Sequence, residues 1–195
     1  DPQGGAGRAP RFDSLHHIDL DIDGKLDPIR FNKPPFEIAA RSARGHDFRM
    51  IGVHMKSKAP HGAGNPDEVH RLAIAARREQ LAQCLWLRER VLEHLEAGDS
   101  LMVMGDFNDG PGLDSYEKLF GRSGVEIVLG WDEARETRLF DPNARAALGK
   151  KLAAAPTTAR FFLPEKDCFF TALLDYVMVS PDLRAKQPKW RIWHP

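Results

Sequence analysis

One stretch constrains the fold of this chain more than any other: Leu-Met-Val-Met-Gly-Asp-Phe-Asn-Asp-Gly-Pro at residues 101–111. Residues 101–104 are apolar with no polar alternation, which predicts a strand buried on both faces. Such a strand needs a layer on either side, so the chain must supply helices or a second sheet to cover it. The run then stops abruptly. Asp106, Asn108 and Asp109 follow within four positions, and a glycine and a proline close the turn.

The flanking sequence predicts those layers. Residues 36–42 and 48–55 read as the arms of a hairpin turning near Gly45. From an N-cap at Asp67 to Leu95 the pattern is that of a long amphipathic helix, ended by Gly98. Ile74, Leu81, Leu85, Leu92 and Leu95 supply its apolar positions. Arg77, Arg78, Arg88, Glu89 and Glu93 fall on the faces expected to be wet. Residues 173–181, Leu-Leu-Asp-Tyr-Val-Met-Val-Ser-Pro, predict another buried strand, and 189–195 a final one. Residues 15–22 predict an extended segment. Residues 115–124 predict a short helix, and 131–164 a long irregular region with some helix around 143–154. Proline-centred turn chemistry is expected over 27–35, and a mobile loop over 1–11. The order of elements is that of an α/β fold, in one domain over residues 1–195.

Composition narrows the function. Twenty-eight Lys and Arg balance 28 Asp and Glu across 195 residues, so no global field draws the chain to nucleic acid or to an anionic membrane. A local basic groove stays open. No apolar run is long enough to span a bilayer. Cys84 and Cys168 make neither a metal spacing nor a disulfide framework and read as buried small apolar residues.

Three polar clusters sit at the ends of apolar strands: His54, Lys56 and Ser57 in Gly-Val-His-Met-Lys-Ser-Lys, Asp106 and Asn108 in Gly-Asp-Phe-Asn-Asp, and Asp175 in Leu-Leu-Asp-Tyr-Val-Met-Val-Ser. Charged groups beside buried strands are costly unless they are paired or functional. Strand ends gather such groups at one sheet edge, where open α/β sheets bind ligands. Each cluster also has a plain structural explanation: a hydrogen-bonded histidine, a solvated lysine loop, a β-turn, a strand cap.

Taken in order, these motifs resemble the endonuclease/exonuclease/phosphatase superfamily, over roughly residues 30–180. Residues 30–41, with Lys33 ahead of a proline pair, and the helix start at residues 71–80, Arg-Leu-Ala-Ile-Ala-Ala-Arg-Arg-Glu-Gln, are similar to flanking segments of that family. The resemblance implies a four-layer sandwich of two packed mixed sheets flanked by helices, incomplete in this chain. It implies hydrolysis of a phosphoester by an activated water with Mg2+ or Mn2+ as cofactor. By resemblance, Asp106 orients and deprotonates the water, and Asn108 donates to a phosphate oxygen and helps place Asp106. His54 hydrogen-bonds the phosphate or protonates the leaving group, and Asp175 orients a second histidine. Lys33, Lys56 and Ser57 are further phosphate contacts, and Asp106 and Asn108 are the metal-side residues within the chain.

Two family elements have no counterpart here: an upstream half with a metal-binding glutamate, and a Ser-Asp-His element expected beyond Pro195. The chain is therefore expected to be the C-terminal part of such a domain. Its uncovered apolar surface is expected to favour self-association or a retained partner fragment. A nuclease, a lipid phosphodiesterase and a small-molecule phosphatase all stay open as substrate classes, and so does a non-catalytic binding module that keeps the fold. Both cytoplasmic and secreted locations stay open.

Overall fold

The structure is a computed structural model that describes residues 9–20, 23–59, 62, 64–110, 120–149, 156–163 and 167–193. At its centre is a four-stranded mixed sheet in the order β3 (Phe36–Arg41), β4 (Asp47–His54), β5 (Leu101–Asp106), β8 (Asp175–Val179). The expected hairpin forms β3 and β4, with Phe36 opposite Gly52 and Arg41 opposite Asp47. β4 and β5 are parallel, so a crossover must join them. Helix α1 (Pro66–Glu96) is that crossover. β8 closes the sheet antiparallel to β5. Two ribbons stand outside it, β1 (His16–Ile18) with β2 (Asp27–Ile29), and β6 (Ala159–Leu163) with β7 (Cys168–Ala172). Short helices α2 (Gly124–Leu129), α3 (Pro142–Leu148) and α4 (Pro181–Ala185) complete the described elements. The α/β class expected from the sequence is borne out, and among the described residues one larger mixed sheet is formed. No described helix is long and apolar enough to cross a membrane.

Helix α1 starts two residues earlier than expected. Asn65 is its N-cap, accepting from the Glu68 backbone N–H, and Pro66 takes the first helical position, where its missing N–H costs nothing. Gly98 ends the helix with φ 76°, a left-handed position that glycine takes without strain. The buried side of α1 is not quite the leucine stripe. Ala73, Arg77, Gln80, Leu81, Cys84, Leu87, Arg88 and Val91 are buried, while Leu85, Leu92 and Leu95 are only partly so. Arg77 and Arg88, expected on wet faces, are inside. They can be there because each meets a carboxylate: Asp109 for Arg77, at 2.8 Å, and Glu133 for Arg88. Trp86 and Leu87 anchor the core. The Phe12 and Phe31 rings lie 5.8 and 5.1 Å from the Trp86 ring, and the Trp86 indole donates to the Pro10 carbonyl. Ala9 and Phe12 are thus docked on the core, while residues 1–8 of the expected mobile loop lie outside the described residues.

The central strand differs from its prediction in one respect. Leu101 and Val103 are fully buried, as are Ile51 and Met178 beside Val103 in the register. Met102 and Met104, on the opposite face, are only partly buried, and Val177 and Phe36 on that face are exposed. Among the described residues one face is covered and the other is half open.

Other expectations are corrected or extended. The proline-centred segment holds β2, with Pro28 paired at an edge where no N–H is needed. Ser123 and Glu126 form a capping box that starts α2, whereas most of the short helix expected over 115–124 lies outside the described residues. Helix is found at α3, with residues 150–155 outside the description. The irregular region ends in β6. No strand forms over residues 187–193, where the Trp190 indole donates to the Val177 carbonyl instead. Both cysteines are free. Cys84 is buried as expected, but Cys168 is exposed on the β6–β7 ribbon.

Candidate active site

The site is built by register. His54 ends β4, Asp106 ends β5 and Asp175 begins β8. His54 pairs with Asp106 and Asp106 pairs with Asp175, so three ionisable groups form a row across three adjacent strands. Strands are about 4.8 Å apart, and directly opposed residues share one face of the sheet. His54 Nε2 lies 3.8 Å from Asp106 Oδ2. The row occupies the end of the half-open face, and all three side chains reach solvent.

The backbone after Asp106 explains its position. Gly105 has φ 137°, and a Cβ there would lie 2.1 Å from the Val53 carbonyl oxygen. Only glycine allows β4 and β5 to approach so closely just before His54 and Asp106. Asn108 adopts φ 48°, a left-handed conformation that asparagine tolerates better than most residues. Its backbone N–H donates to Asp106 Oδ1 at 2.7 Å, and its side-chain amide donates to the Met55 carbonyl at 3.0 Å. Asn108 therefore aims Asp106 and ties the loop after β5 to the loop after β4.

A second tie comes from α1. The buried Gln80 amide nitrogen lies within hydrogen-bonding distance of the carbonyls of Lys56 (2.8 Å), Phe107 (3.1 Å) and Asn108 (3.1 Å). Gln83 Oε1 accepts from the Lys56 N–H at 2.9 Å. Buried polar groups that satisfy loop backbone in this way rigidify what they hold. Below them Asp109 is wholly buried. Its Oδ1 accepts from Arg77 at 2.8 Å and from Lys58 at 2.6 Å, its Oδ2 accepts from the Gly124 N–H at 2.6 Å, and its carbonyl accepts from the Tyr176 hydroxyl. The sequence reading missed the roles of Gln80, Gln83 and Asp109. The only signal for them was the Arg/Gln-bearing helix start and the second acid of the turn.

The structure thus brings together His54, Asp106, Asn108 and Asp175. It adds Lys33, whose Nζ lies 3.2 Å from His54 Nδ1 and 3.3 Å from Nε2, a positive charge beside the imidazole. Lys56 is held by Glu79 at 3.4 Å. Ser57 stays in its own loop, where its Oγ accepts from the Ala59 N–H. On the far side of the row, Thr158 Oγ1 accepts from the Leu174 and Asp175 N–H groups at 3.0 Å each, fixing the start of β8.

The family resemblance implies a resident divalent metal. A metal of that kind takes mostly oxygen ligands in a converging shell. Among the described residues no group of three or more His, Cys, Asp or Glu side chains could hold one. One oxygen of Asp106 and the side-chain nitrogen of Asn108 are already engaged inside the chain. The described residues alone do not fit a metal centre.

A family model described as the Endonuclease/Exonuclease/phosphatase family matches residues 11–195. No curated protein matches the chain. Among solved structures it is similar to the human Nocturnin catalytic domain with bound sulfate anion, at 18% identity and a TM-score of 0.46. That match covers 78% of this chain and 43% of the other, so the chain spans less than half the length of that structure.

Proposed function

The chain belongs to the endonuclease/exonuclease/phosphatase family, and from that premise we propose that it hydrolyses a phosphoester with Asp106 as the group that activates water. Members of the family are hydrolases of phosphoester bonds. The observation that carries the reading is the row His54–Asp106–Asp175, set by strand register at one solvent-open sheet end. A phosphoester is anionic and resists attack, so hydrolysis needs an oriented nucleophile on one side and positive or donating groups on the phosphate oxygens.

Asp106 is suited to the first task. Its Oδ1 is pinned by the Asn108 N–H, which leaves Oδ2 to hold a water and take its proton as the oxygen attacks phosphorus. Lys33 and His54 are suited to the second, since they place a charge and a ring N–H beside Asp106. His54 hydrogen-bonds a phosphate oxygen or passes a proton to the leaving oxygen as the P–O bond breaks. The second amide hydrogen of Asn108 is a further phosphate donor, and Lys56 and Ser57 lie one loop further out. Asp175 flanks the row and orients whatever base packs beside it. Family enzymes generally use divalent metals, and Mg2+ or Mn2+ is the proposed cofactor of the protein that carries this chain. When bound, such an ion would neutralise charge on the phosphate. The described donors alone do not fit such an ion.

The half-open face bearing Met102, Met104 and Val177 is proposed as the surface that a second layer of protein, or a second copy, would cover. The neutral net charge favours a small or single-stranded phosphoester over a duplex-DNA specialist. The test is hydrolysis of bis-p-nitrophenyl phosphate, with and without Mg2+ or Mn2+, by the protein carrying this chain and by its Asp106→Asn variant. Turnover that depends on Asp106 supports the reading. Equal turnover by the variant removes it, and binding without turnover assigns the non-catalytic role.

A further inference from the structure

We propose that the chain carries a second, separate anion site: an arginine-lined pocket that takes a small molecule bearing two or more phosphate groups. The pocket has a volume of about 570 Å3, which is the size of a small-ligand site. It lies beside the segment 139–141, whose Phe140 exchanges two backbone hydrogen bonds with Val179 at the far end of β8. Val179 is four residues along the strand from Asp175, roughly 13 Å at the usual strand rise. The pocket is therefore distinct from the catalytic row.

Its chemistry is one-sided. Arg135, Arg138, Arg145 and Arg184 all line it. Several other arginines are matched to acids, among them Arg41–Asp47, Arg77–Asp109, Arg88–Glu133 and Arg90–Glu37. Among the described residues none of the four pocket arginines has a carboxylate partner. The one acid in the wall, Asp141, is already spent. Its Oδ1 accepts from the Asn143 and Ala144 N–H groups at 2.8 and 2.9 Å, and its Oδ2 accepts from the Val177 N–H at 2.9 Å. Arg138 is anchored through one nitrogen to the Glu133 carbonyl, while its Nε is buried with no hydrogen-bond partner. The Arg184 guanidinium carbon sits 4.1 Å from the centroid of the Phe140 ring, a cation–π contact.

Four arginines line one concavity, Arg135 and Arg145 from positions exposed to solvent. Each presents a planar fork of donors that matches two oxygens of a phosphate. A single phosphate can be clamped by two such forks, so four suit two or more phosphates. Trp131, Leu129 and Leu139 give the same pocket an apolar wall, against which a base or other ring can lie. Free pyrophosphate and a nucleoside polyphosphate share the anionic chemistry and differ in that ring.

Isothermal titration of the Asp106→Asn protein with pyrophosphate, ATP and adenosine tests the assignment. Binding of pyrophosphate or ATP but not adenosine is expected, weakening as salt rises. Tighter binding of ATP than of pyrophosphate assigns the apolar wall to a base, and equal binding assigns the site to the phosphates alone. Arg138→Gln and Arg145→Gln should each weaken it about tenfold or more, since each removes a charge-assisted contact. Arg160→Gln, on strand β6 and outside the pocket lining, should leave it unchanged. The thermal midpoint of Arg145→Gln should match the wild type, because Arg145 is exposed to solvent. A loss of binding that accompanies a fall in midpoint would assign Arg145 to structure. No binding of either anion, or binding insensitive to both arginine variants, would overturn the proposal. None of these outcomes bears on hydrolysis at Asp106.

Discussion

Asp106 and Asp109 stand three residues apart in one turn, and their surroundings are opposite. The Asp106 side chain is one-third exposed at the open end of the row, with one backbone donor and a histidine at 3.8 Å. The Asp109 side chain is fully buried under it, with Lys58, Arg77 and the Gly124 N–H on its oxygens. A carboxylate meant to take a proton needs access and spare lone pairs. A carboxylate meant to hold a loop needs the reverse. The turn that looks over-supplied with acids in the sequence has given one to each task.

The contrast is tested first at Asp106. Asp106→Asn keeps the shape and removes the basicity. Turnover should fall about a hundred- to ten-thousand-fold, the usual contribution of a general base, with little change in apparent substrate binding. Thermal midpoint should hardly move, since the side chain is one-third exposed and the amide oxygen of Asn still accepts from the Asn108 N–H. A variant that lost stability as well as activity would show that Asp106 is a second Asp109.

Asp109→Ala should do the opposite. Removing the acid takes a buried carboxylate away from Arg77 and Lys58, and breaking a buried pair from one side typically costs about 3–5 kcal/mol. Urea denaturation measures it. Activity should fall in proportion to the folded fraction, plus whatever the loosened loop costs. If Asp109→Ala stays as stable as the wild type, the buried cluster is not what holds the turn.

Leu87→Ala sharpens the comparison by destabilising without touching the polar cluster. Leu87 is fully buried on α1, so about 2–5 kcal/mol should be lost. Leu85 is only partly buried, and its alanine variant should lose clearly less. Equal losses would restore the leucine stripe that the sequence pattern suggested.

The smallest effect is expected on the covered face of the sheet, where Glu37 lies opposite the buried Ile51. There Glu37 on β3 accepts from His94 and Arg90, and His94 also meets Asp99. The hydrogen bond from His94, and then Arg90, hold the Glu37 carboxyl down at about 2 against an ordinary 4.5. Its stabilisation is therefore present above 4.5 and lost as pH falls toward 2. His94 is raised above its ordinary 6.5, first by Glu37 and then by Asp99. Its contribution is complete below 6.5 and lost as pH rises through the raised value. Thermal midpoint against pH should peak between those limits, and Glu37→Gln should flatten both shoulders. A profile unchanged by Glu37→Gln would mean that this partly exposed network contributes nothing measurable.

Much of this was legible in the chain itself. The strand ends carrying His54, Asp106 and Asp175 could be placed because apolar runs stop at polar residues, and that pattern is local. Helix α1 was legible from its period and its stop at Gly98. The register that sets the three residues side by side was not, because strand pairing joins positions far apart in sequence and leaves no mark on either alone. Strand β6 falls inside the stretch 131–164 that reads as irregular, and β7 lies just beyond it with no strand expected there, since two short strands with exposed phenylalanines lack the alternation that marks a half-buried sheet.

What the sequence by itself determined is the β3–β4 hairpin, helix α1 and the strands β5 and β8, their order and the chemistry at their ends, because secondary structure answers to the periodicity of neighbours. Only the tertiary structure decided which charges go inside. Arg77 and Arg88 look like surface residues by type and spacing. They are buried because Asp109 and Glu133, thirty-two and forty-five residues away in the chain, arrive to meet them. The burial of a charge is settled by its partner, and a partner is chosen by the fold.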